Sequence, residues 1–172
     1  WEVTPFQAEK EIGLHLSYKS VDGESGYPGN VEIMVSYTLN NENQIIIDYK
    51  AASDKTTPFT LTNHTYFNLS GNTKNIVQDH HVTIDSSSFV ELDEYLIPTG
   101  KLLHVEGTSF DFRTGHNLGD GFNNEFIQNK IAENGYDHYF IFDNSREYNA
   151  IVREPGSGRV LSINTNHPGM VM

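Results

Sequence analysis

The 172-residue chain contains no cysteine. That rules out disulfides, thiolate nucleophiles and Cys-based zinc sites, and it fits a reducing compartment, so the chain is expected in the cytoplasm. Basic side chains are scarce as well, with 11 Lys and Arg against 23 Asp and Glu, for a formal charge of -12. Such a surface repels phosphate backbones and anionic headgroups, so neither nucleic acid nor a membrane is expected as partner. The same acidity also serves solubility. No apolar run approaches the roughly 20 residues of a membrane span. No signal peptide opens the chain, and Trp1 is not an initiator Met, which reads as a processed or partial polypeptide. No serine lies in a G-x-S-x-G elbow, and neither a P-loop nor a G-x-G-x-x-G occurs.

What remains is strand chemistry. In residues 31–39, Val31, Ile33, Val35, Tyr37 and Leu39 alternate with Glu32, Ser36 and Thr38, a period of two that predicts a half-buried strand. Asn40-Asn41-Glu42-Asn43 is turn chemistry and residues 44–49 resume a β-rich run, which together predict a hairpin. Further strands are expected at 14–20, 58–65, 81–84, 102–105, 137–143, 150–153 and 159–165. Gly26-Tyr27-Pro28-Gly29-Asn30 reads as a tight loop, and Pro155-Gly156-Ser157-Gly158 as a hairpin turn. Only residues 123–132 suggest a helix, with Phe126, Ile127 and Ile131 sharing a face. Short strands spaced by turns predict an all-β antiparallel sandwich, with residues 1–172 in a single domain.

Two clusters carry candidate chemistry. Thr62-Asn63-His64-Thr65-Tyr66-Phe67-Asn68-Leu69-Ser70-Gly71 combines an imidazole, two carboxamides, hydroxyls and two aromatic rings without a charged carboxylate or amine. Hydrogen-bonders interleaved with flat rings suit a sugar, which offers both hydroxyls and an apolar C–H face. The competing reading makes Tyr66, Phe67 and Leu69 core and His64 a satisfied buried histidine; the ten residues alone do not separate the two. Histidine titrates near neutrality, so His64 can serve in proton transfer. Tyr136-Asp137-His138 is the second cluster, where Asp137 either orients a substrate hydroxyl or caps a turn. No metal site is expected. Asp79-His80-His81 places neighbouring ligands on opposite strand faces, and His104, His116 and His138 lack metal-ligand spacing.

The decapeptide 62–71 closely resembles the signature of the galactose mutarotase (aldose 1-epimerase) family. The likeness extends in order through Gly26-Tyr27-Pro28-Gly29-Asn30, Ile97-Pro98-Thr99-Gly100, Phe110-Asp111-Phe112-Arg113, Gly135-Tyr136-Asp137-His138 and Gly158-Arg159-Val160-Leu161. It implies a mutarotase-type antiparallel β-sandwich, incomplete at both ends, that interconverts the α and β anomers of free aldohexoses such as galactose and glucose without a cofactor. By that resemblance His64 is the general acid. Asn63, Thr65, Tyr66 and Asp137 contact the sugar, as does His167 in Thr165-Asn166-His167-Pro168-Gly169, where relatives often carry glutamine. The resemblance also implies a general-base glutamate beyond Met172, and a second histidine and an arginine before Trp1. Residues 1–172 alone are therefore expected to be weakly active or inactive, with sheet edges prone to association.

Two other readings stand beside this one. A non-catalytic carbohydrate-binding protein on the same scaffold is the first alternative. A sugar-phosphate enzyme ranks last, since Arg113, Arg146, Arg153 and Arg159 are dispersed.

Overall fold

The computed structural model describes residues 1–122 and 124–172. These divide into two compact units, residues 1–65 and 66–172. Every strand pair is antiparallel, and strands dominate both units.

The first unit is a four-stranded meander of β1 (Glu2–Gln7), β2 (Glu11–Ser20), β3 (Val31–Asn40) and β4 (Ile45–Ser53), paired in that order. Alternation in β3 holds as far as burial is concerned at Val31 and Val35, both buried, with Glu32 exposed between them. The β3–β4 turn is tied by Asn40, whose side-chain oxygen accepts from the amides of Glu42 (2.9 Å) and Gln44 (3.1 Å). β1 carries Pro5 at a sheet edge, where a missing amide donor is tolerated, and it escaped the sequence reading.

The strand expected at residues 58–65 does not form. Residues 56–68 are irregular, with no ladder partner among the described residues. A strand exists only when another pairs with it, and β-branched composition does not supply that neighbour. The polar side chains here make local turn bonds instead.

The second unit is a sandwich of two four-stranded sheets. One holds β5 (His81–Ile84), β8 (His116–Asn117), β10 (Ala150–Arg153) and β11 (Val160–Ile163), in the order β11-β10-β5-β8. The other holds β6 (Ser88–Leu92), β7 (Pro98–His104), β9 (Tyr139–Ile141) and β12 (Gly169–Val171), in the order β12-β9-β6-β7. Val82, Ile84 and Ala150 from the first sheet meet Phe89 and Phe140 from the second, with Val105, Phe110 and Phe112 filling the layer between. The Phe89 and Phe110 rings stack at 4.2 Å. Asp85, just after β5, is 4% exposed and accepts bonds from the Ser145 amide and hydroxyl, each 2.6 Å, which satisfies its buried charge.

The expected helix shrinks to one turn, α1 (Ile127–Ile131); position 123 lies outside the described residues. Asn124 accepts the Phe126 amide (2.9 Å), holding that residue extended so its ring reaches Phe110. Glu133 and Asn134 then adopt positive φ and close the turn. Ile127 is 61% exposed, whereas Gln128 and Asn129 are buried. The apolar face inferred for this segment is replaced by buried amides with defined partners.

Candidate active site

His64 sits on the irregular segment of the first unit, exposed. The buried-histidine reading is therefore wrong. What shapes the backbone around it is Asn63. The Asn63 side-chain oxygen accepts the Thr65 amide at 3.2 Å, an Asx turn spanning the histidine, and its amide donates to the Tyr37 hydroxyl at 3.3 Å. Tyr37 lies on β3, so one carboxamide links the turn to a paired strand. The sequence reading had placed Tyr37 only on a strand face. A phenol on such a face needs a partner for its hydroxyl, and that was the available signal.

In the second unit, Tyr66 is 88% exposed and Phe67 48% exposed. Neither is core, which removes the other half of the bland reading. The end of the signature is clamped. The Leu69 amide donates to His80 Nε2 (2.9 Å), and the Leu69 carbonyl accepts from Ser157 Oγ (2.8 Å) and Arg159 Nη1 (3.1 Å). Gly71 has φ +74°, and a Cβ there would stand 2.6 Å from Arg159 Nη1, so only glycine lets the guanidinium come this close. Glu154 sets the Ser157 turn: bonds from Ser157 and the Gly156 amide hold its carboxyl below the usual range. His80, Ser157 and Arg159 were not singled out from the sequence, because their partner is a backbone group many residues distant.

Asp137 is exposed, immediately before β9, and its two neighbours are anchors. Tyr136 sets its ring edge-on to Phe110 and Phe112 and donates its hydroxyl to the Ser109 carbonyl at 3.0 Å; burial raises its pKa well above the phenol range. His138 is fully buried, edge-on to Phe89 and Phe110. Its Nε2 donates to Gln128 Oε1 (2.9 Å), while Nδ1 accepts the Asp137 amide (3.3 Å). Gln128 in turn pairs with both backbone groups of Leu92, at 2.9 and 3.1 Å. Each histidine nitrogen is thus matched to the neutral ring, and burial lowers its pKa to about 4. The chain Leu92–Gln128–His138 ends on the Asp137 amide and holds that residue in place.

His167 lies in the loop before β12 and is exposed; its amide donates to Thr165 Oγ1 at 3.1 Å. The β9–β12 pairing extends past both strands, through His138 N to Met172 O (3.1 Å) and Phe142 N to Pro168 O (2.9 Å). Continued one step, that register sets His167 opposite Asp143 and Asp137 beyond Met172. Asp137 and His167 therefore lie at opposite ends of one ladder, on the face away from Phe140.

The sequence profile described as aldose 1-epimerase matches residues 1–172. The chain belongs to the aldose 1-epimerase family. Within that family it is 42% identical over 160 residues to a galactose mutarotase of Bos taurus, an alignment covering 92% of this chain and 45% of that protein. An aldose 1-epimerase of Escherichia coli is 38% identical over 141 residues, covering 82% of this chain and 39% of that one. Among solved structures, a galactose 1-epimerase from Lactobacillus acidophilus superposes with a TM-score of 0.89 at 32% identity, across 99% of this chain and 49% of that one. The chain thus spans about half the length of the family members it matches. Among the described residues no His, Asp and Glu group is arranged to hold a metal ion, and no helix is long and apolar enough to cross a membrane.

Proposed function

We propose that this chain is part of an aldose 1-epimerase that interconverts the α and β anomers of a free aldohexose such as galactose or glucose. Its 172 residues form part of a single domain that needs no cofactor and works in the cytoplasm. The observation that carries the reading is the exposed His64 imidazole on a turn bridged by its own neighbour, Asn63, inside a chain that matches the family along its whole length. A proton donor must be accessible to substrate and yet oriented, and an Asx turn spanning one residue serves both needs.

In the proposed reaction, His64 delivers a proton to the ring oxygen as the C1–O5 bond breaks. A base takes the proton from the anomeric hydroxyl, giving the open-chain aldehyde. Rotation about C1–C2 exposes the other carbonyl face, and the reverse proton transfers close the ring as the other anomer. Asn63, Thr65 and Tyr66 flank the acid as sugar contacts. Asp137 accepts sugar hydroxyls from its strand end, and His167 supplies a further hydrogen-bonder. The base that the family resemblance implies is a glutamate outside residues 1–172, so the proposal covers the acid and the sugar-binding groups.

Polarimetry of freshly dissolved α-D-galactose tests this with the full-length protein. The expected result is mutarotation well above buffer, reduced about 10²- to 10⁴-fold by His64→Ala, the usual contribution of a positioned acid. A His64→Ala protein that keeps the parent rate overturns the assignment.

A further inference from the structure

Between Asp137 and His167 the outer face of the β9–β12 ladder carries Tyr139, Ile141, Gly169 and Val171. Only one of these is a flat ring, and only one has no side chain. They are diagonal neighbours: Gly169 pairs with Ile141, and Tyr139 pairs with Val171. The Tyr139 ring takes the space a side chain at 169 would fill, since a Cβ there would stand 2.7 Å from Cε1 and Cζ. Tyr139 is half-buried, with its hydroxyl pKa raised by burial, so part of the ring remains open to the outer face.

We propose that Tyr139, laid across Gly169, is the stacking platform on which the apolar C–H face of the hexose rests, with Asp137 and His167 reaching the sugar from the two ends. The inference rests on the aldohexose reading above and adds to it a specificity-determining residue. The geometry favours it in two ways. Asp137 and His167 sit six residues apart along the ladder, about 20 Å at strand rise. A single sugar meets both only if it lies lengthwise over what separates them, and that floor is the Tyr139 ring. A hexose also buries C–H surface best against an aromatic face, which Ile141 and Val171 do not offer. The requirement for glycine at 169 follows, because any side chain there would displace the ring.

Such a platform touches substrate and transition state alike, so its loss raises KM and leaves kcat largely intact. The test uses the full-length protein with Tyr139→Phe, Tyr139→Leu and Tyr139→Ala, by polarimetry across a range of α-D-galactose and α-D-glucose concentrations. Tyr139→Phe is expected to hold KM within about twofold, while Leu and Ala raise it about five- to tenfold. The Leu variant keeps apolar bulk over Gly169, so it reads out the ring even if the Ala variant melts. Saturation-transfer NMR from protein aromatic protons to D-galactose is expected in the parent and the Phe variant and lost in the Leu variant. An unchanged KM and unchanged transfer in Tyr139→Leu overturns the platform while leaving the epimerase reading standing. Galactose binding with transfer through Tyr139, but without accelerated mutarotation, overturns the epimerase reading and keeps the platform.

Discussion

His64 and Asp137 are both exposed polar groups, but the two units hold them by different means. His64 stands on a segment with no strand partner, shaped by a few side-chain bonds from Asn63 at 3.2 and 3.3 Å. Asp137 stands at the mouth of a paired strand, between two residues driven into a phenylalanine core. Each exposed hydrogen bond of the first kind contributes about 1 kcal/mol or less. The packing beneath Asp137 contributes several times that. Substitutions around His64 should therefore alter geometry and rate with little effect on folding, whereas those beneath Asp137 should alter folding first.

The largest expected effect tests the core side of this contrast. Phe110 is fully buried and its ring meets Phe89, Phe126, Tyr136 and His138. Phe110→Ala should destabilise by about 3–5 kcal/mol in urea unfolding, against less than about 0.5 kcal/mol for His64→Ala. A Phe110→Ala cost near that of His64→Ala would dissolve the distinction.

Next comes acid sensitivity. His138 is neutral in the fold with a pKa of about 4, against about 6.5 when unfolded. Between those values the unfolded chain binds the extra proton, so this contribution to stability is complete above pH 6.5 and is lost as pH falls towards 4. The loss should approach about 3 kcal/mol. Lowered carboxyl pKa values, as at Asp111 and Glu154, act only at more acid pH, so the window from 6.5 to 4 isolates the histidine. An NMR titration of His138 with its midpoint near 6.5 would contradict this.

The smallest effect sharpens the other side. Asn63→Ala removes both bonds that shape the turn. It should lower kcat/KM about tenfold through misorientation of His64, while stability falls by no more than about 1 kcal/mol. Tyr37→Phe, which removes only the hydroxyl anchor, should show a weaker version of the same loss. An Asn63→Ala enzyme at full rate would mean that the turn does not orient the acid.

Much of the fold was legible because a half-buried strand writes its period into the chain. Residues 31–39, 81–84 and 150–153 emerged close to their observed bounds, and the Asn40 and Pro155 turns carried their own chemistry. Where partners rather than patterns decide, the reading failed. Residues 58–65 have strand composition but nothing to pair with, and α1 is cut short by Asn124, Glu133 and Asn134. The candidate site divides in the same way. The polar-aromatic density around His64 and Asp137 stood out, whereas Tyr37, His80, Arg159 and Tyr139 did not, because what marks them is a contact with residues far away in sequence.

By itself the sequence determined an all-β chain, poor in basic groups and without thiols, whose ordered motifs place it among the aldose 1-epimerases. Those properties are local or additive: alternation, turn chemistry, charge and composition are present in the unfolded chain. Tertiary structure decided that His64 is exposed rather than buried, that His138 is a neutral buried brace beneath Asp137, and that a tyrosine lies across a glycine between Asp137 and His167. Burial, tautomer and register exist only once strands have paired, because each depends on which distant residue takes the place of water.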